Sequence, residues 1–290
     1  MNALEWPLSG RVVTSTPDGV EIAVQEWGDR AGRPIIFVHG FSQCHLSWSR
    51  QYAGGRDAGG LDTYGLARDF RLITYDLRGH GQSGKPMSPH YYRESDRWAD
   101  ELACVIERVR PLKPVLVAWS YGGRVVIDYL AKFGGAALAG IVLVGSKISS
   151  GAEFSCAGIP ALQMATAAGD LTVSISATIS FLKSCAESWD VDEFGRQLAF
   201  NMLVPAEVRG FLLGRQFNAD AIFKDLDLPV LFVHGKQDRV TPYAASLHGH
   251  AMAARSRLSL YDGVGHCPFF EAPDRFNDEL AEFVRRDCAG

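Results

Sequence analysis

A serine hydroxyl attacks a carbonyl only when a base takes its proton and a carboxylate orients that base. Ser120, His266 and Asp238 are the residues of this chain whose types and spacing fit those three roles. Ser120 sits in Val115-Leu-Val-Ala-Trp-Ser-Tyr-Gly-Gly123, an apolar run that breaks at a sharp turn before a helical pattern. Ala118, Gly122 and Gly123 are small enough for strand and helix to pass closely, as a nucleophile on a strand-to-helix elbow requires. Asp238 ends Gly235-Lys-Gln-Asp238, just after the apolar run 229–233. His266 ends Gly263-Val-Gly-His266, just after a strand that closes at Tyr261. Taken singly, each has an ordinary explanation: a βα-turn serine, a turn aspartate, a surface-loop histidine. Their arrival in the order Ser, Asp, His after successive strands is what a serine-nucleophile site on a parallel sheet demands.

Attack on a carbonyl also creates an oxyanion, which needs fixed donors. The backbone N–H of Tyr121 follows the nucleophile at a helix start, where amides point outward. A second donor is expected from the loop after strand 34–38, at Phe41 of His39-Gly-Phe41, with Gly40 allowing close backbone approach. His39 reads as a hydrogen-bonding residue of that turn and not as a base. Trp119, beside Ser120, is the expected wall of a substrate pocket, with Phe41 and Tyr121 as apolar neighbours.

The elements that must position these residues alternate. A hairpin is expected over Arg11–Ser15 and Glu21–Trp27, around Pro17-Asp-Gly19. Pro34–Val38, Arg71–Tyr75, the elbow strand and the run 141–144 read as strands buried on both faces. Between them, 95–109 has Trp98, Leu102, Val105, Ile106 and Val109 at helical spacing, with Ser95 as N-cap. The elbow helix runs to Phe133 before Gly134-Gly135. Residues 53–65 read as an irregular loop without chemistry. From about Ser146 the buried-strand runs stop. Helices over 159–169, 171–183, 191–203 and 205–216 are expected, forming a cap inserted over 147–225. The core domain is then 1–146 plus 226–290, the latter holding the strand 229–233, a helix over 243–254, a strand over 257–261 and a final helix over 272–286. The fold class expected is α/β: a mostly parallel central sheet with helices on both faces.

Composition narrows the function. The 290 residues are 47% apolar and carry a net charge of −4, with no basic stripe that would point to nucleic acid. No stretch nears roughly 18 consecutive apolar residues, so no membrane span is expected. The start, Met1-Asn-Ala-Leu-Glu-Trp-Pro, lacks the pattern of a signal peptide, which points to a cytoplasmic protein. The six cysteines, Cys44, Cys104, Cys156, Cys185, Cys267 and Cys288, are scattered and read as reduced packing residues. No metal and no cofactor is implied. The partner expected is a small-molecule substrate, and whether the chain self-associates into a homo-oligomer is left open.

With His39-Gly-Phe41, Asp76-x-Arg-Gly-His-Gly-x-Ser83, Trp119-Ser-Tyr-Gly-Gly123, Gly235-x-x-Asp238 and Gly265-His266 together, the chain resembles the α/β-hydrolase fold superfamily over nearly its whole length. Ala118 departs from the usual first glycine of the elbow but remains small. The resemblance is strongest to single-domain esterases and the cofactor-free haloperoxidase-like, or perhydrolase, group. It implies that Asp76, Arg78 and His80 belong to a structural loop. It also implies hydrolysis of a small or medium, fairly apolar carboxylic ester through an acyl-enzyme. Relatives with an elbow aspartate, the haloalkane dehalogenases and epoxide hydrolases, are set aside by Ser120. Carbon–carbon hydrolases, hydroxynitrile lyases, cofactor-free dioxygenases, perhydrolases and small-molecule receptors of the same fold keep a similar site and remain as alternatives.

Overall fold

The computed structural model describes residues 11–53, 55–56, 62–63, 65–154, 162 and 169–288. Ten strands are present among them: β1 (Arg11–Ser15), β2 (Glu21–Gly28), β3 (Pro34–Val38), β4 (Gly55–Arg56), β5 (Asp62–Thr63), β6 (Arg71–Tyr75), β7 (Val115–Trp119), β8 (Gly140–Val144), β9 (Val230–Gly235) and β10 (Ser256–Tyr261). Eight of them form one sheet in the order β1-β2-β6-β3-β7-β8-β9-β10. The β1–β2 and β2–β6 pairs are antiparallel, and every pair from β6 to β10 is parallel. Every residue of β3, β7, β8 and β9 is buried, which is why these segments are continuous apolar runs. β6 pairs on one side of β3 and β7 on the other, so the chain reverses direction across the sheet there. The crevice at such a reversal, beyond the strand ends, is where open parallel sheets place ligands. The segments leaving β3 and β7 carry Phe41 and Ser120.

Several elements differ from expectation for local reasons. Residues 53–65 contain β4 and β5, paired with each other as a small antiparallel ribbon. Ser95 is the first helical residue of Ser95–Glu107, and the extended backbone of Glu94 is the N-cap. The Ser95 hydroxyl instead accepts from Arg215 Nη2 at 2.7 Å. The helix expected over 205–216 runs only over Ala206–Leu212, and Gly214 beyond it has φ +81°. The expected final helix is preceded by a separate turn, Pro268–Glu271. Ala272 between them leaves the helical region, at φ −134° and ψ 61°, directly before Pro273. Helices Leu171–Cys185 and Val191–Met202 stand where expected, with Asp170 and Asp190 capping their first amides. Most of the helix expected over 159–169 lies outside the described residues. A further helix, Asp220–Asp225, packs Phe223 against Phe232 of β9. The segment between β8 and β9 is tied at its base, where Ser150 N–H donates to Phe217 and Ala219 N–H to Ile148, each at 2.9 Å.

Two loops at the sheet's crevice are locked together by histidines. Leu77 N–H donates to His39 Nε2 at 3.0 Å, and Ser42 N–H donates to His80 Nε2 at 3.1 Å. Each ring's Nδ1 then donates to a carbonyl: that of Gly40 for His39, that of Arg78 for His80. The expected structural role of His39 is what this bonding describes. Burial pushes His39 down to about 4 and His80 to about 3, so both stay neutral. Beneath them Arg78, fully buried, donates through Nε to Glu101 at 2.7 Å and through Nη1 to Asp18 at 2.8 Å. That guanidinium binds the β1–β2 turn and the Ser95–Glu107 helix to the 76–83 loop.

Removing Glu101 strips the fully buried Arg78 of one of its two carboxylate partners. Glu101→Ala is expected to lower the unfolding free energy in urea by ~3–5 kcal/mol. The exposed pair of Arg286 with Glu282 should matter far less, with Arg286→Gln costing ~0–1 kcal/mol. Equal effects would show that Arg78 does not need its partner. The buried histidines add a pH dependence. Unfolded histidines protonate near pH ~6.5, so below that the unfolded state binds more protons and stability falls with pH. The loss continues toward the folded values of about 4 and 3. The urea midpoint should drop as pH is lowered through this window, with a shallower slope in His80→Gln; identical slopes would refute the assignment.

Candidate active site

Ser120 is the first residue past β7 and the N-cap of helix Tyr121–Phe133, with φ 52° and ψ −112°. A non-glycine residue at positive φ costs about 1–3 kcal/mol and persists only where its surroundings over-determine it. Here its N–H donates to Val144 at 2.9 Å. Its carbonyl accepts from Gly123 N–H at 3.0 Å and from the Ser146 hydroxyl at 3.2 Å. A Cβ on Gly122 would stand 2.5 Å from the Val38 carbonyl oxygen, so only glycine lets the helix start cross the end of β3.

Asp238 follows β9 and is buried. Its Oδ1 accepts from the N–H groups of Val240 and Thr241 at 2.8 and 2.9 Å. Its Oδ2 accepts from His266 Nδ1 at 2.7 Å and from His234 Nε2 at 2.9 Å. Burial alone would raise this carboxyl. The His266 charge and the hydrogen bonds from His234 and His266 outweigh it and hold Asp238 well below the usual carboxylate range. An ionised Asp238 fixes the proton of His266 on Nδ1, leaving the lone pair on Nε2. The backbone of His266 is held at both ends: its N–H donates to Cys185 at 2.8 Å and its carbonyl accepts from Trp119 Nε1 at 2.9 Å.

Ser120 and His266 each lie against one of two adjacent residues at the end of β8. Val144 receives the Ser120 amide, and a Cβ on Gly145 would lie 3.0 Å from His266 Nδ1. A cavity of about 140 Å³ opens beside Ser120, Tyr121 and Phe41, with Phe181, Leu213 and Phe217 of the inserted segment opposite. Trp119 is not among the residues lining it. Its indole is buried behind the site, between the backbone of His266 and the ring of Phe269 at 4.9 Å. The structure thus brings Asp238 and His266 into direct contact and places Ser120, Tyr121 and Phe41 on one cavity.

The sequence reading passed over His234. It donates through Nε2 to Asp238 and to the Thr241 carbonyl at 2.9 Å, and its Nδ1 accepts from the Ser246 hydroxyl at 2.7 Å. The available signal was a histidine inside an otherwise apolar strand, four residues before the carboxylate. Cys44 and Cys267 are buried, free thiols, pushed well above the usual range by burial. Cys44, His45 and Asp76 bring three donor types within 4.8 Å of one another, but Asp76 already accepts from His45 Nδ1 at 2.9 Å. Among the described residues no helix is long and apolar enough to cross a membrane.

Comparison with known proteins agrees with this geometry. A solved structure assigned as an aryl esterase from Burkholderia cenocepacia superposes with a TM-score of 0.88 at 36% identity, covering 97% of this chain and 100% of that one. An esterase from a Rhodococcus species superposes at 0.86 with 31% identity, covering 96% and 99%. A bifunctional esterase/perhydrolase of Acinetobacter calcoaceticus is 26% identical over 286 residues, 93% of this chain and 98% of its own length. The model of the alpha/beta hydrolase family matches residues 35–279, and the chain belongs to that family.

Proposed function

We propose that the protein is a serine carboxylesterase in which Ser120 is the nucleophile, His266 the base and Asp238 the carboxylate that orients it. The observation that carries this reading is the 2.7 Å Asp238–His266 hydrogen bond beside a serine held at φ 52° on the wall of a cavity. The similarity to esterases over the whole chain supports it. The Ser120 oxygen bonds to the acyl carbon while His266 Nε2 takes its proton. The backbone N–H groups of Tyr121 and Phe41 receive the oxyanion, each worth on the order of 3 kcal/mol in such sites. His266 returns the proton to the departing alkoxide, which leaves as alcohol. It then takes a proton from water as the water oxygen attacks the acyl carbon, and passes that proton to the Ser120 oxygen as the acyl–serine bond breaks and the acid leaves. Asp238 remains ionised throughout. Residues 147–225 act as a cap that shapes the substrate site, since Phe181, Leu213 and Phe217 come from this segment.

A second reading has one supporting observation, the similarity to an esterase/perhydrolase. Hydrogen peroxide in place of water would convert the same acyl-enzyme to a peracid.

A panel of p-nitrophenyl esters of rising chain length tests the reaction. Turnover by wild type and its loss in a folded Ser120→Ala protein are expected, with a fluorophosphonate probe labelling Ser120. No turnover of any ester, or label elsewhere, would sink the proposal. His266→Ala should abolish turnover, whereas His39→Ala should act first on stability; similar activity in both would reverse those roles. Gly145→Ala drives a methyl onto the His266 ring at a residue with φ +53°. It is expected to cut kcat by about tenfold or more, because reacting groups tolerate little misplacement. Unchanged kcat would mean that His266 is not positioned through Gly145.

A further inference from the structure

The cavity beside Ser120 is cationic in a chain whose net charge is −4. Arg124 and Lys147 line it, and among the described residues no aspartate or glutamate does. Arg124 stands four residues after Ser120, in the first turn of the helix that Ser120 caps. It is only 8% exposed.

A buried guanidinium is ordinarily paired with a carboxylate. The nearest candidate is already taken. Asp128, one turn further along the helix, accepts from Arg215 Nη2 through both oxygens, each at 2.7 Å. Arg215 therefore holds the one carboxylate near both arginines. Arg124 has no ion pair among the described residues, and its Nε is buried without a hydrogen-bond partner. What it does contact is the ring of Phe217, 4.7 Å from the guanidinium carbon. The segment 155–168, which contributes Leu162 to the cavity, contains no acidic residue. Burial lowers Arg124 to about 10, which leaves it charged at neutral pH. The Lys147 ammonium donates to the Phe154 carbonyl at 3.3 Å and adds a second positive charge at the same wall.

We infer that Arg124 receives a carboxylate of the substrate, so that the preferred substrates are esters bearing a free carboxylate a few bonds from the scissile carbonyl. The inference rests on the esterase reading above and names its substrate class. The planar fork of a guanidinium matches a carboxylate with two parallel hydrogen bonds. The aromatic and aliphatic residues around it suit the short apolar segment between the two groups.

The test compares monoethyl glutarate, charged on the acyl side, and the butyrate ester of glycolic acid, charged on the alcohol side, with neutral ethyl hexanoate. Wild type is expected to favour at least one charged ester in kcat/KM by about tenfold or more, through KM. That ratio should collapse in Arg124→Gln and return in part in Arg124→Lys. Arg286→Gln, at a distant exposed site, should keep it. Wild type that turns over ethyl hexanoate at least as well as both charged esters overturns the inference, as does a preference that survives Arg124→Gln. If no ester is turned over, the esterase reading itself falls. The inference is then decided by calorimetry with glutarate: binding lost in Arg124→Gln supports it, and no binding, or binding indifferent to Arg124, overturns it. Removing an unpaired buried charge should leave the thermal midpoint of Arg124→Gln no lower than wild type, so a folding defect is distinguishable.

Discussion

The site depends on one backbone constraint, the positive φ of Ser120. A hydroxyl at the tip of a strand reaches a substrate only if the chain turns back at once into a helix, and a serine does not adopt that turn unaided. The turn is held by hydrogen bonds from three sides: Val144 of β8 takes the Ser120 amide, and Gly123 of the elbow helix and Ser146 beyond β8 both donate to the Ser120 carbonyl. The absence of a side chain at Gly122 removes the clash with Val38 that would push the helix away. Disturbing β8 or β3 would therefore move Ser120 as surely as changing the elbow itself.

Near this turn two buried carboxylates are each bound on several sides, which is what makes them rigid. Asp238 accepts four hydrogen bonds, two from backbone amides and two from imidazoles. Asp76 accepts from the amides of His45 and Gln82 and from the His45 ring. A carboxylate bound on several sides has one orientation, and whatever it touches inherits that orientation. For Asp238 the inheritor is His266. For Asp76 and the histidine pair of His39 and His80 it is the loop that carries Phe41. The two halves of the site are thus held by separate networks, both anchored at the strand ends.

Much of this was legible because the constraints are local in sequence. The buried strands appear as unbroken apolar runs, and the elbow appears as small residues flanking Ser120. Asp238 and His266 lie a few residues past their strands. What escaped reading depends on side-chain contacts that residue type and spacing do not specify. His234 looks like a strand residue until Asp238, Thr241 and Ser246 fold around it. Trp119 is next to Ser120 in the chain, but strand alternation turns its ring away from the cavity and toward Phe269. Ser95 suits an N-cap by type, yet Glu94 takes that place and Ser95 is used by Arg215 from the inserted segment.

The inserted segment was the least readable part for the same reason, since its residues answer to the core rather than to their own periodicity. Its helices touch the loops after β3 and β6 directly. The Ser42 hydroxyl donates to the Asn201 carbonyl at 3.3 Å. A Cβ on Gly79 would meet Val208 at 2.6 Å. Arg209 gathers the Asn201 and Val204 carbonyls at 2.8 and 3.2 Å. Arg215 reaches from the segment to Asp128 on the elbow helix and so removes the carboxylate nearest to Arg124 in the chain. A charge carried by the insertion thereby sets the electrostatics of the wall next to Ser120. On this architecture the loops after the strands hold Ser120, Asp238 and His266, and the segment between β8 and β9 reaches those loops and the elbow helix through a few residues, Asn201 and Arg215 among them.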